Sequence, residues 1–153
     1  MFEVELSWAE VEMAAYVGMR RQIDALRRGL PDKHGYEGSG WDNHIEGAMG
    51  EIAVAKALGR YWNGSIGTFK DGGDVGKIQV RCRSKLDYDL IVRQDDRDSD
   101  WFVLVLGRCP RYWVIGYIRG VEAKQEQWLQ NHGGRPAAYF IPQTSLTPFP
   151  SHV

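Results

Sequence analysis

Residues 71–85 read DGGDVGKIQVRCRSK, a glycine-rich turn that runs directly into an alternating strand. Successive side chains of a strand point to opposite faces, so Ile78, Val80 and Cys82 share one face. The opposite face carries the polar residues Lys77, Gln79, Arg81, Arg83 and Lys85. The pattern therefore predicts a strand with one face in the core and the other face free for polar chemistry.

The length and composition predict one globular domain. A chain of 153 residues is of single-domain size, and no repeat or linker interrupts it. We therefore expect a single domain over residues 1–153, with its core at about residues 41–142. The formal net charge of −1 does not decide for or against DNA, because binding depends on a local basic surface.

Cysteine usage and hydropathy set the expected cellular environment. Two cysteines are too few for a disulfide framework or a four-cysteine zinc site, so we expect both to be reduced and structural. No apolar segment approaches the roughly 20 residues of a membrane span, and the first residues lack the pattern of a secretion signal. We expect a soluble, cytoplasmic protein without a membrane partner.

An amphipathic helix is expected from Ser7 to about Leu26. Ser7 is placed as the N-cap and Glu10 completes a capping box. Trp8 falls on the apolar stripe of this helix. Near its C-terminal end the sequence gathers four cations, Arg20, Arg21, Arg27 and Arg28. They either complement the helix dipole or contact DNA phosphates.

A second helix is expected after a glycine-rich loop at 29–41, starting near Asp42 or Asn43 and ending at Gly59. Apolar residues cover nearly its whole circumference, which predicts a buried helix. Glu46 lies near the helix start, where the dipole favours an acid. Glu51 lies deeper in the helix, where a carboxylate is costly unless it is paired or bound to a metal.

Two explanations for Glu51 stay open. The first is an internal ion pair, with Arg81 or Arg83 of the strand as the expected partner. The second is a metal ligand. Gly47 and Gly50 flank Glu51 and weaken the helix, so we expect them to let another backbone or a ligand approach closely.

The rest of the chain predicts an α/β fold with a central mixed sheet flanked by helices. A hairpin is expected at 61–69, with its turn at Asn63-Gly64. Further strands are expected at 88–93, 101–106, 112–118 and 138–141, with a short helix at 121–130. The strand at 101–106 is apolar enough to be central.

Glu51, Asp74 and polar side chains of the strand at 71–85 would converge if the second helix packs across that strand. Two carboxylates and a side-chain oxygen are the ligands that Mg²⁺ or Mn²⁺ prefers. Such a metal acidifies a water for attack on a phosphodiester, while nearby arginines hold the phosphate. This grouping predicts hydrolysis of phosphodiester bonds.

Three short motifs resemble the PD-(D/E)XK nuclease superfamily. They are Gly50-Glu51 on the second helix, Gly73-Asp74 before the strand, and Ile78-Gln79-Val80-Arg81 on the strand. The order of elements from Trp41 to Ile118 is also similar. The resemblance implies a restriction-endonuclease-like three-layer sandwich with an extra N-terminal helix.

The resemblance also implies a site. Glu51, Asp74 and Gln79 would bind Mg²⁺ or Mn²⁺, and Arg81 would act on the phosphate. Further contacts to DNA would come from Arg81, Arg83, Lys85 and Lys77. Gln79 and Arg81 depart from the family's acid and lysine. A glutamine offers only a neutral carbonyl oxygen, and an arginine stays protonated and cannot act as a base.

Two functions follow as predictions. The first is a Mg²⁺-dependent deoxyribonuclease, for which a homodimer is the expected assembly because two sites cut two strands. The alternative is a catalytically inactive nuclease-like module that binds nucleic acid or a protein partner. A purely structural Glu51 ion pair is a third explanation of the same residues.

Overall fold

The computed structural model describes residues 1–30, 38–67 and 73–150. The chain begins with a short strand and two long helices: β1 (Phe2–Glu5), α1 (Trp8–Arg27) and α2 (Gly40–Ala57). Four strands follow: β2 (Ile78–Arg83), β3 (Leu90–Arg93), β4 (Trp101–Arg108) and β5 (Arg111–Arg119). The described chain then continues with α3 (Gly120–Ala123), β6 (Leu129–Gln130) and β7 (Ala138–Ile141).

The strands form two sheets. Sheet A has the order β1-β5-β4-β2, with β2 parallel to β4 and the other neighbours antiparallel. Sheet B has the order β3-β7-β6 and is antiparallel. The predictions of a mixed α/β fold, a mixed sheet and an interior β4 are confirmed. Because β2 ends the order of sheet A, one of its edges faces away from β4.

The two faces of sheet A pack against different layers. Alternate residues of β2 and β4, such as Val80 and Val103, share one hydrophobic cluster with the two long helices. Phe102 and Leu104 point the other way and pack with Leu90 of β3. In the described chain, the layer behind sheet A is therefore mainly a second sheet. Helix α2 covers the face to which Ile78, Val80 and Cys82 belong.

The start of α1 is as predicted, but its outer face is not. Ser7 Oγ accepts from the Glu10 N–H at 3.2 Å, and Glu10 Oε2 accepts from the Ser7 N–H at 2.7 Å, which confirms the capping box. Trp8 was expected on the apolar stripe and is 72% exposed. The helices approach so closely that a Cβ on Gly18 would lie 2.5 Å from the Ile45 Cα. Only a residue without a Cβ fits at this contact, and Trp8, the first residue of α1, lies outside it.

Helix α2 starts earlier than predicted and packs closely on β2. Ser39 is its N-cap, so the end of the predicted loop at 29–41 belongs to the helix, while residues 31–37 lie outside the described residues. Its end before Gly59, which has a φ of 59°, is as predicted. A Cβ on Gly50 would lie 2.6 Å from the Cys82 Cβ. Gly50 thus permits the close approach of β2, as expected.

Two predicted elements are wrong. Residues 61–67 contain no strand, because Trp62 and the Ser65 carbonyl bond to side chains of the two helices instead; residues 68–69 lie outside the described chain. The predicted helix at 121–130 stops at Ala123, and Leu129–Gln130 pairs with β7 as a strand. Within the described ranges, no helix is long and apolar enough to cross a membrane.

Candidate functional site

Glu51 is buried and held by a bidentate ion pair with α1. Only 6% of the residue is exposed, and Arg21 donates to it from Nη1 to Oε1 at 2.7 Å and from Nη2 to Oε2 at 3.0 Å. Trp62 Nε1 donates to the same Oε2 at 2.9 Å. The expected ion pair exists, but the prediction of a strand arginine as its partner was wrong. Helix α1 lies against α2, so Arg21 reaches Glu51 first.

Asp74 is folded back against the outer edge of β2 by a tight turn. Its N–H donates to the Ile78 carbonyl at 2.7 Å, and its Oδ2 accepts from the Val80 N–H at 2.6 Å. A Cβ on Gly73 would lie 2.5 Å from the Gly76 carbonyl oxygen, so the turn requires glycine at this position. The glycine-rich stretch thus places a carboxylate beside the strand that follows it.

The two carboxylates act on each other. The pKa of Asp74 is raised from 3.8 to about 6, mainly by burial and secondly by the negative charge of Glu51. The Val80 N–H and the charges of Arg81 and Arg21 act in the opposite direction. We call Glu51 and Asp74 the carboxylate pair. Two of the three predicted metal ligands are therefore near enough for their charges to interact.

Gln79 does not join the carboxylate pair. Its Nε2 donates to Asp100 Oδ2 at 3.2 Å, on the face of sheet A that packs against sheet B. Arg81 leaves the same face and donates from Nη2 to Asp96 at 2.9 and 3.0 Å. Its charge still acts on Asp74, because Asp74 lies at the strand edge between the two faces. Arg81 therefore belongs to the site electrostatically, and Gln79 lies apart from it.

The remaining predicted cations lie on two sides of the site. Arg83 donates to the Asp89 carbonyl at 3.0 Å and stacks over the Tyr88 ring at 4.0 Å. Lys85, beyond the end of β2, lies 5.4 Å from the same ring. Lys77 is exposed in the turn before β2. Only Arg83 is partly withdrawn from water.

Arg81 and Arg83 line a cleft of about 410 Å³ between α2 and sheet B, which we call the arginine cleft. Glu46, Val80 and Arg93 also line it. Burial, together with the positive charge of Arg93, lowers the pKa of Arg83. The lining thus carries three guanidinium groups and one carboxylate, so its net positive charge suits an anion.

The arginine cleft and the carboxylate pair are neighbours. Val80 lines the cleft, and its N–H is the donor that holds Asp74. An anionic chain in the cleft would therefore meet the carboxylate pair along the edge of β2. Sequence reasoning did not assign Arg21 as the partner of Glu51, and it did not place Trp62 or Arg93 in this assembly. Their contacts depend on how α1 and β3 pack, and no local spacing signals that packing.

The cysteines carry no reactive thiolate. Both Cys82 and Cys109 are free, as predicted. Burial and the charge of Glu46 raise the pKa of Cys82 to about 12 and raise that of Cys109 as well. Glu46 itself accepts from the Tyr112 hydroxyl at 3.1 Å. The two thiols therefore stay protonated and have a structural role beside Glu46.

The carboxylate pair fits a hard divalent cation in charge and donor type, but only with rearrangement. Both Glu51 oxygens already accept hydrogen bonds from Arg21. Of the two Asp74 side-chain oxygens, only Oδ2 accepts a hydrogen bond from the described residues. A Mg²⁺ ion takes one or two carboxylates and completes its shell with water and phosphate oxygens. The two carboxylates meet that requirement, and Gln79 is not needed for it.

No protein-family model matches this sequence, and neither a curated protein nor a solved structure matches it.

Proposed function

We propose that this protein is a metal-dependent nuclease that hydrolyses phosphodiester bonds of DNA, with the carboxylate pair at its centre. One observation carries the proposal: the buried carboxylate of Glu51 and the half-buried carboxylate of Asp74 interact at the edge of a strand that also lines an arginine cleft. Bringing like charges together away from water is costly, and carboxylates with a raised pKa, such as Asp74, concentrate at functional sites.

In this proposal, the carboxylates hold the metal ion and the arginines bind the phosphate. Glu51 and Asp74 would hold Mg²⁺ or Mn²⁺, with Arg21 yielding at least one Glu51 oxygen. When bound, the ion supplies positive charge that acidifies water and neutralises the leaving oxygen. Arg81 and Arg83 bind the phosphate oxygens by charge-assisted hydrogen bonds. Arg81 cannot accept a proton at physiological pH, so its role is electrostatic.

The fold supports a restriction-endonuclease-like core as part of the same proposal. Helix α2 carries Glu51, the turn before β2 carries Asp74, and the parallel pair β2 and β4 forms the end of sheet A. In this proposal α1 is an addition that covers α2 and supplies Arg21. Sheet B takes the place of a helical layer behind sheet A.

A catalytically inactive module that binds DNA is a second candidate, favoured by a different observation. Arg21 and Trp62 already satisfy Glu51, while Asp96 holds Arg81 and Asp100 holds Gln79. A carboxylate whose two oxygens both bind an arginine has its charge balanced without a metal ion. In that case the arginine cleft alone would carry the function.

A cleavage assay tests the proposal. Supercoiled and linear DNA are incubated with the protein in Mg²⁺, in Mn²⁺ and in EDTA, alongside Asp74→Asn and the exposed control Asp87→Asn. The nuclease proposal predicts metal-dependent nicking that Asp74→Asn abolishes and Asp87→Asn retains. Cleavage that persists in Asp74→Asn contradicts the site.

A binding measurement separates the two candidates. Fluorescence anisotropy of a labelled oligonucleotide, recorded in EDTA over a range of salt concentrations, reports phosphate contacts without catalysis. Salt-dependent binding with no cleavage under any metal condition favours the inactive module. The absence of both binding and cleavage overturns both candidates. Sedimentation of the free and DNA-bound protein tests the proposed homodimer.

A further inference from the structure

A second cavity lies on the α2 side of sheet A, beyond the C-terminal end of the helix. It has a volume of about 520 Å³, and Trp101, Tyr117 and Phe149 form much of its wall. The ring centroids of Trp101 and Tyr117 are 5.5 Å apart, and those of Tyr117 and Phe149 are 4.8 Å apart. We call this cavity the aromatic pocket. Its volume is in the range of small-molecule and cofactor sites.

The aromatic pocket is cationic at its rim. Arg60 and Lys77 line it, and the described residues of its lining include no aspartate or glutamate. Arg119 adds a third cation, stacked 5.3 Å from the Trp101 ring. An apolar, ring-lined cavity with only positive charge suits a ligand that joins a flat ring to an anion. A nucleotide has that chemistry.

The aromatic pocket and the arginine cleft are both joined to Asp74 through neighbouring residues of β2. Ile78 lines the aromatic pocket and its carbonyl accepts from the Asp74 N–H, whereas Val80 lines the arginine cleft and donates to Asp74 Oδ2. Along α2, Leu58 of the pocket lies seven residues after Glu51. That spacing is about 10 Å of helix. A nucleic-acid strand that occupies both cavities would therefore pass Asp74.

We propose that the aromatic pocket binds an unpaired base of a DNA strand. The base lies against Trp101, Tyr117 and Phe149, and the adjacent phosphate lies at Arg60 and Lys77. A base inside a duplex is paired and stacked on both sides, so it enters such a pocket only after it has left the stack. Aromatic platforms of this kind bind single strands with little sequence preference. The pocket therefore selects single-stranded regions, frayed ends or unpaired junctions.

This inference extends the proposed nuclease function, but binding of the base requires neither the metal nor the carboxylates. The test uses fluorescence anisotropy in EDTA with a labelled single-stranded oligonucleotide and with the duplex of the same sequence. The variant is Trp101→Leu, and the matched control is Trp8→Leu, because Trp8 is 72% exposed on α1 away from the aromatic pocket. We expect Trp101→Leu to weaken single-strand binding by about tenfold or more, the loss expected for one base stack. Duplex binding and the control should stay at the wild-type level.

A second measurement covers the case in which Trp101→Leu fails to fold. The wild-type protein is photocrosslinked to a single-stranded oligonucleotide that contains 5-iodouracil, and the adduct is mapped by mass spectrometry. We expect the adduct on Trp101, Tyr117 or Phe149. Adducts confined to residues outside the aromatic pocket overturn the inference, as does a folded Trp101→Leu variant with unchanged single-strand binding.

The outcomes keep the two proposals distinguishable. Loss of single-strand binding in Trp101→Leu, combined with no metal-dependent cleavage by the wild type, supports the pocket and refutes the nuclease. Metal-dependent cleavage that Asp74→Asn abolishes, combined with unchanged binding by Trp101→Leu, supports the nuclease and refutes the pocket.

Discussion

Replacing Asp74 by asparagine should stabilise the metal-free protein, and more so at high pH. The pKa of Asp74 is raised from 3.8 to about 6 by burial and by Glu51, so the folded protein holds this proton more tightly than the unfolded chain does. Stability therefore falls as pH rises from 3.8 to about 6 and then levels off. Relative to low pH, a shift of this size lowers the free energy of unfolding by about 3 kcal/mol above pH 6 and by about 1 kcal/mol at pH 4.5.

Urea denaturation in EDTA measures the effect. Asparagine keeps an acceptor for the Val80 N–H. Any weakening of that hydrogen bond changes the free energy of unfolding equally at pH 4.5 and at pH 8. The free energy of unfolding of Asp74→Asn, relative to wild type, should therefore increase by about 2 kcal/mol from pH 4.5 to pH 8. Asp87→Asn removes an exposed carboxylate and serves as the control. A difference between Asp74→Asn and wild type that does not change with pH would refute the reasoning.

Three further predictions concern packing and binding. Arg21→Met should lower the free energy of unfolding by about 3–5 kcal/mol, because it leaves the Glu51 carboxylate buried without its cation. Adding Glu51→Gln to the same chain should recover part of this loss. Gly50→Ala should destabilise the protein by about 1–3 kcal/mol in thermal unfolding, because the new Cβ meets β2. A Cβ on Gly47 has nothing within 4 Å, so Gly47→Ala should stabilise the protein by up to about 1 kcal/mol. Arg83→Ala should weaken DNA binding and reduce the slope of log K against log salt by about 1 in anisotropy titrations.

Matched variants sharpen these three tests. Arg20→Met removes an exposed arginine next to Arg21, and Arg111→Ala removes one at the start of β5, away from the arginine cleft. Arg21→Met with the stability of Arg20→Met would show that Glu51 does not depend on its partner. Equal stabilities of the two glycine variants would contradict the close contact of α2 with β2. Equal salt slopes for Arg83→Ala and Arg111→Ala would remove Arg83 from the DNA surface.

Local chemistry made much of the fold predictable. The capping box at Ser7 needs only residues within one turn of helix, and the strand at Ile78–Arg83 needs only alternation. The exposure of Trp8 and the strand at Leu129–Gln130 were not predictable in the same way. They depend on how closely α1 approaches α2 and on where β7 lies, which are properties of the packed chain.

The candidate site was predictable in part for the same reason. A carboxylate on an otherwise apolar helix indicated that Glu51 is buried and partnered, and the glycine-rich turn placed Asp74 against the strand. The alternation of β2 also puts Gln79 on the face opposite to Ile78, and α2 packs on the Ile78 face. The separation of Gln79 from Glu51 follows from that alternation once the packing of α2 is known. Arg21 could not be assigned as the partner without the contact between the two helices.

The most direct test of the central claim is a crystal structure of the protein soaked in Mn²⁺, with anomalous data collected to locate the ion. The proposed function predicts an anomalous peak shared by Glu51 and Asp74, with Arg21 released from at least one Glu51 oxygen. No peak at the carboxylate pair, with Arg21 still bound to both oxygens of Glu51, would contradict it.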